Sequence, residues 1–162
     1  MCKLYLMCGI PGSGKSTFLA NHCKENDVIV SRDVIRFSMV KEDEEYFSKE
    51  NEVFAEFVRQ INENLSAGKD VFADATHLNP ASRNKLLNQV NGYDEVHAIV
   101  MLKTCDTALK QNENRVGTRA YVPKSVIRRM ANQLQMPRLE EGFKSVIVIT
   151  EEEKVTITTM EV

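Results

Sequence analysis

One segment of this chain indicates its fold most clearly: Gly9-Ile10-Pro11-Gly12-Ser13-Gly14-Lys15-Ser16-Thr17. It has the spacing Gly-x4-Gly-Lys-Ser/Thr and directly follows an apolar run, residues 4–8. Glycines at these positions let the backbone wrap around a polyphosphate, while the lysine reaches the β and γ phosphates and the hydroxyl can ligate Mg²⁺. We therefore predict a phosphate-binding loop that lies between a strand and a helix beginning near Lys15.

The predicted nucleotide-binding residues of this loop either form its glycine-rich turn or lie at its lysine end. They are Gly9, Pro11, Gly12, Ser13, Gly14, Lys15, Ser16 and Thr17, with Ser16 as the predicted Mg²⁺ ligand.

The composition of the chain predicts its domain number and excludes some classes of protein. A chain of 162 residues with 43% apolar content is long enough for one core, so we predict a single domain over residues 1–162. A formal net charge of -2 excludes a strongly basic protein that coats nucleic acid. The four cysteines lack metal-ligand spacing, and neither a signal peptide nor a membrane-spanning apolar run is visible. We expect a cytoplasmic protein without a membrane partner.

Apolar runs alternate with helical patterns along the chain. Residues 28–30 form a β-branched run that predicts a fully buried parallel strand, and the helix before it is expected to end near residues 26–27. Further strands are predicted at 71–74, 96–102 and 146–149, and the alternating tail 155–159 suggests a hairpin strand at the sheet edge. This pattern predicts a three-layer α/β P-loop kinase fold, with a mostly parallel sheet of about five strands and helices on both faces.

Two carboxylates follow predicted strands. Asp33 comes after residues 28–30, preceded by Arg32 and followed by Arg36, and Asp74 ends residues 71–74. In an open α/β sheet, ligands bind at the carboxyl ends of the strands, so we expect these side chains to share one edge with the loop. Asp33 could alternatively be only a helix N-cap.

A polar segment, residues 115–123, has little core-forming pattern and ends at a proline. It contains Arg115 and Arg119, and we predict that it is a lid segment that closes over bound nucleotide. Arg115 is the stronger candidate for contact with the transferring phosphoryl group.

The loop alone leaves three reactions open: phosphoryl transfer to a hydroxyl, hydrolysis as a switch, and hydrolysis coupled to assembly. Transfer needs a Mg²⁺ site, an acid that accepts the proton of the hydroxyl, and cations around the moving phosphoryl group. The sequence contains each of these groups and lacks the Asn-Lys-x-Asp motif of small switch GTPases. The residues favour a kinase but leave open whether Asp33 or Asp74 is the base.

Four motifs together resemble the kinase domain of phage-type polynucleotide 5'-hydroxyl kinases. These are the loop 9–17, the run 31–36, the run 74–80 and the lid segment with Val122-Pro123, in the same order and spacing over roughly residues 3 to 135. The resemblance implies an ATP- and Mg²⁺-dependent kinase that acts on the 5'-hydroxyl of DNA or RNA.

The same resemblance implies roles for individual residues. Asp33 is implied as the general base, Arg115 as the group that stabilises the transferring phosphoryl, and Lys15 as the cation on the phosphates. Arg36 and Asp74 are implied on the acceptor side. Arg32 is predicted there as well, although Arg32 and Arg36 could also be only a solvated helix start. Arg115 and Arg119 are also predicted on the nucleotide, and Arg119 could instead only tether the lid segment or screen phosphate.

Two alternatives remain at this point. The first is a small-molecule P-loop kinase that acts on a nucleoside, a nucleotide sugar or an antibiotic, because such enzymes share the core more loosely. The second is a nucleotide-binding regulator that hydrolyses slowly or not at all. The regulator predicts that Asp33 and Arg115 are dispensable.

Overall fold

A twisted sheet forms the centre of the computed structural model, which describes residues 1–152 and 154–158. Its strands are β1 (Lys3–Cys8), β2 (Val28–Ser31), β3 (Val71–Asp74), β4 (Glu95–Met101), β5 (Ser145–Ile149) and β6 (Lys154–Thr158). They lie in the order β2-β3-β1-β4-β5-β6. Neighbouring strands are parallel except β6, which runs antiparallel to β5.

Helices occupy the connections between the strands. They are α1 (Lys15–His22), α2 (Arg32–Met39), α3 (Glu50–Ser66), α4 (Pro80–Leu87), α5 (Cys105–Glu113) and α6 (Lys124–Gln133). Local sequence explains several of their starts. Ser31 caps α2 by accepting a hydrogen bond from the backbone N–H of Val34, and Asn79 and Ser82 form a capping box at α4.

The main core lies on one face of the sheet. There α3 buries apolar side chains that recur at helical spacing, together with residues from α2 and α4, against inward-facing strand residues such as Leu6 and Val100. On the other face, Leu19 of α1 packs with Met7, Ile99 and Met101. A smaller cluster joins α5 and α6. The sheet is therefore covered on both faces, as predicted.

The parallel register brings three strand ends together. Met7 of β1 lies beside Asp74 of β3, and Asp74 lies beside Ser31 of β2. The segments that follow these three strands are the phosphate-binding loop, the start of α2 and the run 75–79. Because all of them leave the same edge, the candidate site residues converge there.

The fold prediction is confirmed, with two local corrections. Residues 28–30 are not a fully buried strand, because β2 lies at the sheet edge and leaves Ile29 43% exposed. α1 ends at His22 rather than near residues 26–27, since Cys23 is extended and Asp27 closes a turn onto the backbone N–H of Lys24.

The predicted hairpin strand is present as β6, although part of that prediction, residue 159, lies outside the described residues. None of the helices that the structure describes has the length and apolarity needed to cross a lipid bilayer.

Candidate active site

The phosphate-binding loop connects β1 to α1 in a fixed conformation. Gly12 and Gly14 have φ values of 82° and 92°, in the left-handed region that favours glycine. A Cβ atom on Gly12 would lie 2.5 Å from the carbonyl oxygen of Ala108 in α5, so the loop backbone rests directly on that helix. Lys15 Nζ donates hydrogen bonds of 3.0 Å to the carbonyls of Gly9 and Ile10. The loop therefore holds the lysine ammonium at its own centre.

The loop faces a cavity of 480 Å³ at the carboxyl edge of the sheet. Of the predicted nucleotide-binding residues, Pro11, Gly12, Gly14, Lys15, Ser16 and Arg115 line it. All three predicted acceptor-side residues, Arg32, Arg36 and Asp74, also line it, as does Asp33. The structure thus brings the two groups of predicted residues into one space.

Four predicted nucleotide-binding residues do not line this cavity. Gly9 and Ser13 are buried within the loop, where a Cβ on Gly9 would lie 2.7 Å from Ser13 Oγ. Thr17 is exposed on α1. Arg119 is held elsewhere and is described below.

A buried arginine organises the acceptor side of the cavity. The side chain of Arg36 is only 7% exposed, and it donates to Glu50 through Nε (2.5 Å) and Nη2 (3.0 Å). Arg36 Nη1 donates to Asp33 Oδ1 at 2.5 Å, and Arg32 Nη2 donates to Glu50 Oε2 at 3.1 Å. Burial alone would lower the pKa of Arg36, but its bonds to Glu50 and the nearby negative charges raise that pKa above its ordinary value. Arg36 is therefore a permanent cation.

Asp33 is positioned through one of its two oxygens. Arg36 Nη1 and the Tyr46 hydroxyl (3.0 Å) both donate to Oδ1. Among the described residues, none donates a hydrogen bond to Oδ2, and the side chain is 66% exposed. Ser31 is the cap of α2, so Asp33 is not the N-cap. The carboxylate is fixed in place with one oxygen available.

Lys15 and Asp74 influence each other across the loop. Burial lowers the pKa of Lys15, while the charges of Asp74 and Asp33 oppose that shift. Burial raises the pKa of Asp74, and the charge of Lys15 opposes it. The bottom of the cavity is thus a poorly solvated place where opposite charges stabilise each other.

The two arginines of the lid segment have different surroundings. Arg115 is half-buried and lines the cavity, and in the described part of the chain its guanidinium has no hydrogen-bond or ion-pair partner. Arg119 donates to the carbonyl of Phe37 at 3.1 Å and also to the carbonyl of Val40, and its guanidinium lies 4.9 Å from the Phe37 ring centroid. In this structure Arg119 therefore ties the lid segment to the end of α2.

Two other polar residues near the site, Arg83 and His77, form hydrogen bonds that connect parts of the fold. Arg83 is fully buried and bonds the carboxylate of Glu141 (2.8 Å) and the carbonyls of His77 and Gln135. His77 Nδ1 lies 2.6 Å from the carbonyl of Met7, and burial lowers the pKa of His77 to about 4. Neither residue lines the cavity, so neither is placed to contact a ligand there.

Sequence reasoning missed Glu50, Tyr46 and Phe47, which all line the cavity. Glu50 is the first residue of α3, and Tyr46 and Phe47 lie on the loop before it. A buried arginine requires a carboxylate partner, but the sequence offers 23 acidic residues and does not say which one it is. No sequence signal singled out these three residues.

Comparison with known proteins places the chain in a family. The sequence pattern of the AAA domain, family AAA_33, matches residues 4–137. A putative bifunctional polynucleotide phosphatase/kinase of Acanthamoeba polyphaga mimivirus is 27% identical over 159 residues, which cover 91% of this chain and 33% of that protein. The transcription factor bHLH140 of Arabidopsis thaliana is 25% identical over 146 residues, which cover 88% of this chain and 15% of that protein. The chain thus spans a third or less of these curated relatives.

Solved structures agree on the architecture. A chain of the Pnkp1/Rnl/Hen1 RNA repair complex superimposes with a TM-score of 0.72 at 26% identity, covering 82% of this chain and 44% of that one. A sugar kinase of Janibacter sp. HTCC2649 superimposes with a TM-score of 0.65 at 16% identity, covering 94% and 87%. At 16% identity, the similarity to the sugar kinase shows a shared fold only. Together these matches confirm the resemblance to polynucleotide kinases that the motifs predicted, and the chain belongs to the AAA domain family and has the fold of a P-loop kinase.

Proposed function

We propose that this protein transfers the γ-phosphate of ATP to the 5'-hydroxyl of a polynucleotide, DNA or RNA, through one kinase domain whose lid is residues 115–123. The single observation that carries the proposal is the position of Asp33. Its carboxylate lines the same cavity as the phosphate-binding loop and keeps one oxygen free of hydrogen bonds from the described residues. The 27% identity to a putative bifunctional polynucleotide phosphatase/kinase supports the choice of acceptor.

On the donor side, the loop and two cations would bind the ATP phosphates. The backbone N–H groups of the loop and the start of α1 attract phosphate oxygens. Lys15, now bonded to the carbonyls of Gly9 and Ile10, would exchange those bonds for the β and γ phosphates. Arg115 has no competing ion pair within the described chain and would neutralise charge on the transferring group.

On the acceptor side, Asp33 would take the proton of the attacking hydroxyl at Oδ2. Arg36 and Tyr46 hold Oδ1, so the carboxylate cannot rotate freely. Proton removal as the hydroxyl attacks is the main chemical assistance that phosphoryl transfer needs from a side chain, apart from positioning and charge. Asp74 and Arg32, which line the same cavity, would bind the acceptor.

The donor set fits Mg²⁺. Magnesium in phosphoryl-transfer sites is usually held by one or two protein oxygens, with phosphates and water completing its shell. The Ser16 hydroxyl lines the cavity beside the loop, and Asp74, whose burial disfavours an isolated negative charge, is there too. Ser16 would be the direct ligand, and the ion would supply positive charge on the β and γ phosphates.

The experiment is a labelling assay with γ-labelled ATP and Mg²⁺. A short 5'-OH oligonucleotide is offered beside nucleosides and common sugars, and the labelled product is identified. We expect label on the oligonucleotide. Label confined to a nucleoside or a sugar would refute the polynucleotide acceptor and support a small-molecule kinase. No transfer to any acceptor would support a nucleotide-binding regulator.

Asp33→Asn tests the assignment of the base. We expect ATP binding to persist while kcat falls about 10²- to 10⁴-fold, which is the usual contribution of general-base assistance. Asp43→Asn is the matched control, because Asp43 is an exposed aspartate that does not line the cavity. Equal kcat values for the two variants would remove Asp33 from the reaction.

A further inference from the structure

An exposed aromatic ring in the cavity has no role in the site described so far. Phe47 lines the cavity and is 50% exposed, although a phenylalanine of this size normally gains from burial. Its ring meets Tyr46 edge to face, with centroids 4.7 Å apart and an interplanar angle of 85°. The Arg36 guanidinium lies 5.4 Å from the Phe47 ring centroid. The ring is thus held by two neighbours while part of it remains accessible.

Phe47 and Asp33 both contact the side chain of Tyr46. Tyr46 contacts Asp33 Oδ1 through its hydroxyl and Phe47 through its ring. One tyrosine ring therefore separates the phenylalanine from the carboxylate. In a nucleotide, the 5'-oxygen and the base are likewise separated by one ring, that of the sugar.

Charge around Phe47 argues for a neutral ligand group. The acidic segment, residues 42–45, consists of four consecutive carboxylates just before Tyr46. Arg36 lies 5.4 Å from the ring but is already ion-paired with Asp33 and Glu50, so a phosphate at Phe47 would gain little from it and would approach the acidic segment, whereas a nucleobase carries no charge. Apolar and aromatic side chains from the lid segment and α6, including Tyr121, Val126 and Met130, line the same cavity. They provide further surface for a flat, neutral group.

Resting on the proposed function, we infer that Phe47 is the stacking platform for the 5'-terminal nucleobase of the acceptor. Every base has a π-face, so such a platform binds a nucleic acid end with little regard to its sequence. Stacking at Phe47 would place the 5'-hydroxyl of that nucleotide near Asp33. Phe47 is then a specificity residue that favours a nucleotide over an acceptor without a base.

The test combines a protein variant with a substrate variant. The 5'-OH oligonucleotide carries either a normal first nucleotide or an abasic tetrahydrofuran residue, which keeps the hydroxyl and lacks the base. With the normal oligonucleotide we expect Phe47→Ala to raise KM about 5- to 150-fold, the range that corresponds to the loss of one stacked base. With the abasic oligonucleotide we expect the unaltered chain and Phe47→Ala to have the same kcat/KM.

Two controls separate stacking from disturbance of the fold. Phe47→Tyr keeps an aromatic face and should stay close to the unaltered chain on both substrates. Val34→Ala removes another exposed apolar side chain, 66% exposed, that does not line the cavity, and it should change neither KM. The KM for ATP should be the same in all variants.

The outcomes also separate this inference from the proposed function. If the unaltered chain labels the normal oligonucleotide but Phe47→Ala has no effect, or weakens both substrates equally, stacking at Phe47 is refuted and the kinase assignment stands. If the unaltered chain labels no oligonucleotide at all, the proposed acceptor and the platform are refuted together.

Discussion

Replacing Glu50 with glutamine tests how strongly one carboxylate holds the acceptor side together. Glu50 accepts two hydrogen bonds from Arg36, at 2.5 and 3.0 Å, and one from Arg32 at 3.1 Å. Glutamine has nearly the same size but lacks the negative charge, and it accepts through a single oxygen. Arg36 would keep its ion pair with Asp33 and lose its bidentate partner.

The loss of stability expected for Glu50→Gln lies between the losses typical of breaking a buried and an exposed ion pair. Removing one partner of a buried pair costs about 3–5 kcal/mol, whereas exposed pairs contribute about 1 kcal/mol or less. The Arg36 side chain is 7% exposed but that of Glu50 is 29% exposed, so solvent screens part of the interaction. We expect the free energy of unfolding to fall by about 2 kcal/mol, which for a chain of this size lowers Tm by about 4–8 °C.

The loss should depend on pH in a defined direction. Burial alone would raise the pKa of Glu50, but its hydrogen bonds and ion pairs with Arg36 and Arg32 outweigh burial and hold the pKa below its ordinary value. A carboxylate whose pKa is depressed by folding stabilises the protein above its unfolded pKa of about 4.3, and this contribution is lost as the pH falls through the folded pKa. The difference between the unaltered chain and Glu50→Gln should therefore be largest near neutral pH and shrink in acid.

Urea unfolding followed by circular dichroism at several pH values measures this difference. Glu52→Gln is the matched control, since Glu52 lies in the same first turn of α3 and is exposed, and it should change the free energy of unfolding by less than about 0.5 kcal/mol. If Glu50→Gln matches that control at every pH, the ion-pair network around Arg36 is not a source of stability and the reasoning fails.

Two further predictions concern the loop and the lid segment. Gly12→Ala should lower the free energy of unfolding by about 2 kcal/mol more than Gly117→Ala. Both glycines have a φ of 82°, but only at Gly12 would the added Cβ lie 2.5 Å from a backbone oxygen. Thermal unfolding measures both losses of stability, and equal losses would contradict the close contact. Arg119→Ala should speed amide exchange in the lid segment about 10-fold, because two hydrogen bonds to carbonyls at the end of α2, those of Phe37 and Val40, are lost. A higher KM for ATP without faster exchange would place Arg119 on the nucleotide instead.

Much of the fold follows from the sequence because its signals are local. The loop needs glycines at particular positions, and β-branched runs alternate with amphipathic helices such as α3. Asp33 and Asp74 could be placed at one edge from topology alone, since parallel strands end on the same side. The carboxyl ends of β2 and β3 are neighbours in the structure, where Ser31 lies beside Asp74.

What the sequence did not reveal depends on contacts between distant segments. The exposure of Ile29 follows from the strand order, which a single run of β-branched residues does not encode. Arg36 pairs with Glu50, which lies 14 positions further along the chain. Arg119 contacts the end of α2, which lies more than 70 positions before it. Each involves one of many chemically equivalent partners, so only the folded geometry selects it.

The contact between Gly12 and Ala108 also links two parts of the site. Ala108 lies in α5, and the same helix runs directly into the lid segment at its far end. With no side chain between the loop and the helix, a rotation of α5 that swings Arg115 also displaces the carbonyl against which Gly12 rests. If phosphate binding shifts the loop, we therefore expect it to shift the lid segment as well, because the nine-residue helix α5 connects the two.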